Sequence, residues 1–284
     1  MELAAAVGQD DRWMTCLFDR VVCGVDGSPS SRIAVAQARR VATPGAIVDL
    51  VSIVERSPDG WPRHAPDEER QYYEAQLALE AARERAAPSR SQLLFGAPGT
   101  VLVDAAARRD ASLLVVGDPP GGRLGRTVLG GVGTYLLEAA PCSLLIARDG
   151  DGQASFPGRI AVGHDGSAGA TYAAAAADAL AQRLGASLRI LVARGGDPVR
   201  EDGLPLREEL ESSPLSPVDA LSDAATHLDL LVVGARGVRN LAPLGEVAER
   251  IAHLARCSVL VVREPADVGA PPGDGDARGS RPRS

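Results

Sequence analysis

Leu113-Leu114-Val115-Val116-Gly117-Asp118-Pro119-Pro120-Gly121-Gly122-Arg123-Leu124-Gly125-Arg126 carries the pattern around which the chain is organised. Four apolar residues run directly into a glycine, as a buried parallel strand does where it ends at a turn. A glycine-rich, basic loop follows, and residues 127–139 then read as a helix. Strand, glycine-rich loop and helix start together make the arrangement that holds phosphates. The first N–H groups of a helix lack backbone partners and carry partial positive charge. The same order returns at Leu230-Leu231-Val232-Val233-Gly234-Ala235-Arg236-Gly237.

Working upstream, residues 20–26 form a short apolar strand that ends in Asp26. Ser28 then suits a helix N-cap and Pro29 the first helical position. Residues 30–42 carry apolar side chains at helical spacing, and Pro44-Gly45 stops them. Residues 46–54 read as a second strand, 67–87 as an amphipathic helix, 91–95 as a third strand, and Pro98-Gly99-Thr100 opens a further helix to Arg109. Downstream of the central stretch, residues 143–147 make a fifth strand. Strands alternating with helices imply a parallel sheet covered on both faces.

After a polar linker the pattern restarts: residues 159–167 repeat residues 20–28, and residues 255–263 repeat residues 140–148. This is an internal duplication. The offset from Asp26 to Asp165 is 139 and from Gly117 to Gly234 is 117, so the second copy is 22 residues shorter in between. Residues 195–206 show no helical face, so the counterpart of the 67–87 helix is expected to be missing there. The chain divides into an N-terminal extension (1–19), a first domain (20–148), a linker (149–158), a second domain (159–263) and a tail (264–284) whose Gly, Pro, Asp and Arg content predicts disorder.

Composition limits the function. The formal net charge of −7 and the 3% aromatic content give no footprint for nucleic acid and no stacking platform for single strands. The four cysteines, Cys16, Cys23, Cys142 and Cys257, form no C-x-x-C pair and read as buried thiols in a reducing compartment. No apolar run reaches membrane-span length, and Glu2 stands where a signal peptide carries positive charge. A cytoplasmic location is expected. His64, His227 and His253 lack metal spacing, and no metal site is expected. His164 precedes Asp165, but strand neighbours point to opposite faces, so they make no catalytic dyad.

Val25-Asp26-Gly27-Ser28, Val115-Val116-Gly117, Gly130-Gly131-Val132 and Ala140-Pro141-Cys142, with their counterparts in the second half, resemble the universal stress protein family in its tandem two-domain form. The resemblance implies two doubly wound α/β domains, each a five-stranded parallel sheet in the order 3-2-1-4-5 flanked by helices. It also implies that the fifth strands pair within the chain around a pseudo-two-fold axis; further association into a homodimer is left open.

Family members that bind ATP, with Mg²⁺, do so beside the ends of strands 1 and 4, through a loop of the form Gly-x2-Gly-x9-Gly-(Ser/Thr). Carried onto this chain, the implied nucleotide contacts in the first domain are Gly24, Val25, Asp26, Ile53, Val116, Gly117, Gly121, Gly122, Arg123, Gly130, Gly131 and Val132. The first copy departs from the pattern at Pro120, which has no N–H, and at Gly131, which has no hydroxyl. In the second copy the implied contacts are Asp165, Gly234, Gly237 and Gly245. Its spacer is two residues shorter, and Glu246 follows where a phosphate would lie, so this copy is read as degenerate.

The function implied is a stress-response regulator binding ATP or a related adenine nucleotide in the first domain, with at most weak ATPase activity and no catalytic residue. The alternative is an interaction or dimerisation module that binds no nucleotide. An enzyme of the wider nucleotide α-hydrolase type would need a Ser-Gly-Gly-x-Asp-Ser loop or a His-x-Gly-His signature, and neither is present.

Overall fold

Residues 17–55, 65–85, 89–118, 129–149, 156–193, 209–213, 215–235 and 244–264 are described by the structure, a computed structural model. In chain order the first half contains β1 (Arg20–Gly24), α1 (Pro29–Val41), β2 (Ile47–Val54), α2 (Ala65–Arg85), β3 (Ser89–Phe95), α3 (Pro98–Arg108), β4 (Leu113–Gly117), α4 (Gly131–Ala139) and β5 (Ser143–Ala147). The second contains β6 (Arg159–Gly163), α5 (Ala168–Leu184), β7 (Ser187–Ala193), β8 (Glu209–Ser213), α6 (Pro217–Ala224), β9 (Leu230–Gly234), α7 (Glu246–Leu254) and β10 (Ser258–Val262).

All ten strands share one sheet, in the order β3-β2-β1-β4-β5-β10-β9-β6-β7-β8. Each half is thus a parallel sheet of order 3-2-1-4-5, as the resemblance implied. Among the described residues the first half has four helices and the second three, and α2 is the one without a counterpart. Residues 195–206, where that counterpart was expected to be lost, lie outside the described residues, as do residues 1–16 and the tail from 265.

The halves join through β5 and β10, the one antiparallel pair in the sheet. Leu145 lies opposite Leu260, its own equivalent in the duplication, while Leu144 faces Val261 and Ile146 faces Val259. The pseudo-two-fold axis therefore passes through the Leu145–Leu260 pair. Both strands would otherwise be apolar sheet edges, open to pairing with another chain, and joining them removes that exposure.

The sheet is covered on both faces, and each layer of core runs across the junction. One face packs Val21, Cys23, Leu113, Val115 and Leu145 under α1, α2 and α5. The other packs Val22, Leu114, Val116, Leu144 and Ile146 under α3, α4, α6 and α7. Strand alternation produces this division, since successive side chains point to opposite faces. Helix α2 covers its share with Ala75, Ala78, Leu79 and Ala82, spaced to give one buried stripe.

Local signals set the helix starts. The Ser28 hydroxyl accepts from the Ser31 N–H at 3.1 Å, and Ser167 does the same for Ala170 at 3.1 Å. One expectation is corrected: the helix read over 127–139 does not include residues 129 and 130, and α4 begins at Gly131. Leu129 is buried in the core on this face before the helix begins, and Gly130 acts as the N-cap in extended conformation. Thr127 itself lies outside the described residues.

Candidate functional site

Strands β1 and β4 lie side by side at the centre of the first half, with Val21, Val22 and Cys23 opposite Leu113, Leu114 and Val115. From β1 the chain crosses to β2 on one side, and β4 leads to β5 on the other. The strand order reverses here, and ligands of open parallel sheets bind in the crevice at such a point.

Glycines at the strand ends allow backbones to approach. A Cβ on Gly117 would overlap the Ser30 carbonyl group, so the first turn of α1 sits directly on the end of β4. At the equivalent Gly234, a Cβ would lie 2.6 Å from the Gly169 oxygen at the start of α5. Gly24 faces Leu102 and Val116, within 3.3 and 3.4 Å of an added Cβ. Close packing thus accounts for these motif glycines independently of any ligand.

Asp26 is exposed and closes a turn. Its Oδ1 accepts from the Ser28 N–H at 2.9 Å, and Gly27 between them takes φ +80°, where glycine is favoured. Asp165 repeats this with Ser167 at 3.0 Å. His164 does not join it, because the imidazole Nδ1 accepts from the Gly166 N–H at 3.2 Å. Burial lowers the His164 pKa, and the nearby Asp165 charge offsets that only in part.

The remaining expected residues divide between the two faces of the sheet. Val25 packs on the α1/α2 side, whereas Val116 and the half-buried Ile53 belong to the α3/α4 side. Gly130, Gly131 and the exposed Val132 open α4. Gly121, Gly122, Arg123 and Gly237 lie outside the described residues, as does Pro120. A cavity of about 390 Å³ opens between α1 and α2. Of the expected contacts it includes only Val25 and Asp26, and Ser31, Arg32, Glu74, Leu77 and Arg85 supply much of the rest. This cavity was not foreseen, because its walls come from two helices whose relative placement the sequence does not show.

The two helix starts that follow the glycine loops differ. Helix α4 has no side-chain cap and no acid in its first turn, and a Cβ on Gly131 would meet only open space. Helix α7 carries Glu246 and Glu249 in its first turn, and Glu246 pairs with Arg250 at 3.8 Å.

A further polar cluster went unseen in the sequence. Asp118, directly after β4, is 1% exposed at its side chain and pairs with Arg148 at 2.8 Å. The Arg148 guanidinium also donates across the domain junction, to the Ala252 carbonyl and to the Cys257 carbonyl at 3.3 Å. Ser258 completes the group, donating to Gln37 at 2.8 Å and accepting from the Arg148 N–H at 3.0 Å. The Gln37 amide donates in turn to the Arg148 carbonyl at 3.0 Å. Across the pseudo-axis, Arg263 repeats the pattern, its guanidinium donating to the Leu137 carbonyl and its N–H to Ser143 at 3.1 Å. There the residue equivalent to Asp118 is Ala235. The duplication predicts the equivalence of Arg148 and Arg263, but nothing in the sequence marks Asp118 as buried.

The thiols of Cys23, Cys142 and Cys257 are buried, and burial pushes each pKa up to about 12. They are therefore protonated packing groups. Among the described residues no cluster of His, Cys, Asp and Glu could hold a metal, and no helix is long and apolar enough to cross a membrane.

Comparison with known proteins agrees with this architecture. The model of the universal stress protein family matches residues 17–148 and 193–263. Universal stress protein Rv2623 of Mycobacterium tuberculosis is 30% identical over 287 residues, spanning 86% of this chain and 96% of its own. Universal stress protein Rv2005c of the same organism is 28% identical over 287 residues, covering 86% and 97%. Among solved structures, a universal stress protein from Archaeoglobus fulgidus superposes with a TM-score of 0.68 over 86% of this chain and 98% of its own, at 17% identity, a likeness of fold. The chain belongs to the universal stress protein family, with the family domain present twice in tandem.

Proposed function

We propose that the first domain binds an adenine nucleotide, ATP with Mg²⁺ being the ligand to test, across the crevice at the ends of β1 and β4, and that the second domain has lost this capacity. The observation that carries the reading is the contrast between the two helix starts. Helix α4 presents N–H groups with no side-chain cap and no acid in its first turn, as a phosphate requires. Helix α7 places Glu246 at the position equivalent to Gly131. A carboxylate about 5 Å from a phosphate costs about 3 kcal/mol per unit charge at an effective dielectric near 20, on the order of a hundredfold in affinity.

In this reading Asp26 contributes to holding the adenosine part, while Ile53 and Val116 offer apolar surface on the α3/α4 side. Family members are as a class not catalysts, and the proposal requires no reaction. The setting proposed is the cytoplasm, and the output is a change in shape or in affinity for a partner.

Calorimetric titration of nucleotide-stripped protein with ATP and Mg²⁺ tests the proposal. The expected result is one site per chain, weakened on the order of a hundredfold by Gly131→Glu, which reproduces Glu246 in an open position. Asp26→Ala should weaken it as well. Absence of heat at millimolar ATP, or equal affinity in Gly131→Glu, would overturn the proposal and favour an interaction module without nucleotide.

A further inference from the structure

A second groove, of about 300 Å³, opens where the C-terminal ends of α1 and α5 meet at the domain junction. Arg39, Arg40, Thr43 and Gly45 line it from the first domain, and Arg183 and Leu184 from the second. Its walls contain three arginines and no acid, in a chain whose formal net charge is −7.

Helix-end chemistry explains part of this. Arg39 and Arg40 lie in the last turn of α1, where cations offset the helix dipole. Arg40 Nε donates to the Phe156 carbonyl at 3.0 Å, and Arg183 donates to the Val41 carbonyl. Each guanidinium has about five N–H donors, so these bonds leave most of the set unused. Arg39 donates to no described residue, and none of the three makes an ion pair among the described residues. The two anchored guanidiniums are held in orientation before any ligand arrives, which reduces the ordering cost of binding. Burial also lowers the Arg183 pKa, and an anion would offset that desolvation.

We propose that Arg39, Arg40 and Arg183 form a binding site for a small anion with two or more linked phosphate groups, which bridges the two domains. Three guanidiniums match the charge of such a group, and their planar forks fit its oxygens. The chain's formal net charge of −7 disfavours diffuse anion binding elsewhere on its surface. This site is independent of the crevice at β1 and β4.

Titration of the full chain with inorganic pyrophosphate in Mg²⁺-free buffer, followed by calorimetry and thermal melting, tests the assignment. The expected result is saturable binding at one site per chain, a rise in Tm, and affinity that falls with salt. Arg39→Gln and Arg40→Gln should each weaken binding by about tenfold. Gly131→Glu should leave it unchanged, and sulfate at equal ionic strength should bind far more weakly. No saturable binding up to about 5 mM, equal binding of sulfate, indifference to both arginine variants, or loss in Gly131→Glu would each overturn the proposal.

Discussion

Arg148→Met is the perturbation whose cost follows most directly from the structure. The Arg148 and Asp118 side chains are 5% and 1% exposed and meet at 2.8 Å. Removing the cation leaves a buried carboxylate without its partner and takes donors from the carbonyls of Ala252 and Cys257. Breaking one side of a buried pair costs about 3–5 kcal/mol, against about 1 kcal/mol or less for an exposed pair. Asp118→Ala should cost less, about 1–2 kcal/mol, because the guanidinium keeps its carbonyl acceptors across the junction. In the second domain Ala235 stands at the position equivalent to Asp118, and Arg263, the equivalent of Arg148, likewise donates to a helix carbonyl, that of Leu137. In the double variant the costs should fall short of additivity by about 1 kcal/mol or more, since the first change removes what the second would disrupt. Equilibrium urea denaturation of the four proteins measures all of these quantities. A loss under about 1 kcal/mol in Arg148→Met, or full additivity in the double variant, would mean that the buried pair is not a coupled, stability-determining contact.

Two further predictions concern packing and pH. Gly117→Ala places a Cβ into the Ser30 backbone, which cannot swing aside as a side chain can, and should cost about 2 kcal/mol or more; Gly131→Ala meets nothing and should be stabilising by about 0.5–1 kcal/mol. The difference between their melting temperatures checks this. The His164 pKa is lowered in the folded state, so the unfolded chain takes up the proton first as pH falls. Its contribution is present above the unfolded pKa of about 6.5 and is lost below it, levelling off under the folded value. His164→Val should flatten the stability profile as pH falls below the unfolded value of about 6.5, and an unchanged slope would contradict the assignment. Asp229 acts in a separate, more acidic window. Burial raises its pKa, but the bonds from Arg159 and from the N–H groups of Gly158 and Arg159 outweigh that and give a net lowering. Its contribution is therefore lost only as pH falls through a folded value below about 3.9.

Much of the fold was legible because its signals are local. Apolar runs ending in glycine, Ser-Pro helix starts and the repeated 140–148 segment each report on a few neighbouring residues. The duplication then fixed the equivalences, including the fifth strands that meet at Leu145 and Leu260. What stayed illegible depends on residues brought together from far apart. Asp118 reads as a loop residue, and its buried partner Arg148, 30 positions on, is itself held by the Cys257 carbonyl across the junction. Arg39 and Arg183 are 144 positions apart in the chain and meet because α1 and α5 end at one seam. The non-helical residues 129 and 130 before α4 are hard to read because glycine-rich sequence carries little helix signal.

The nucleotide assignment is tested most directly by amide hydrogen exchange of the full chain with and without saturating ATP and Mg²⁺. Slowed exchange is expected in peptides covering residues 24–27, 116–118 and 130–134, with no change at the start of α7, residues 245–249. Unchanged exchange in the first set, or protection confined to α7, would contradict it.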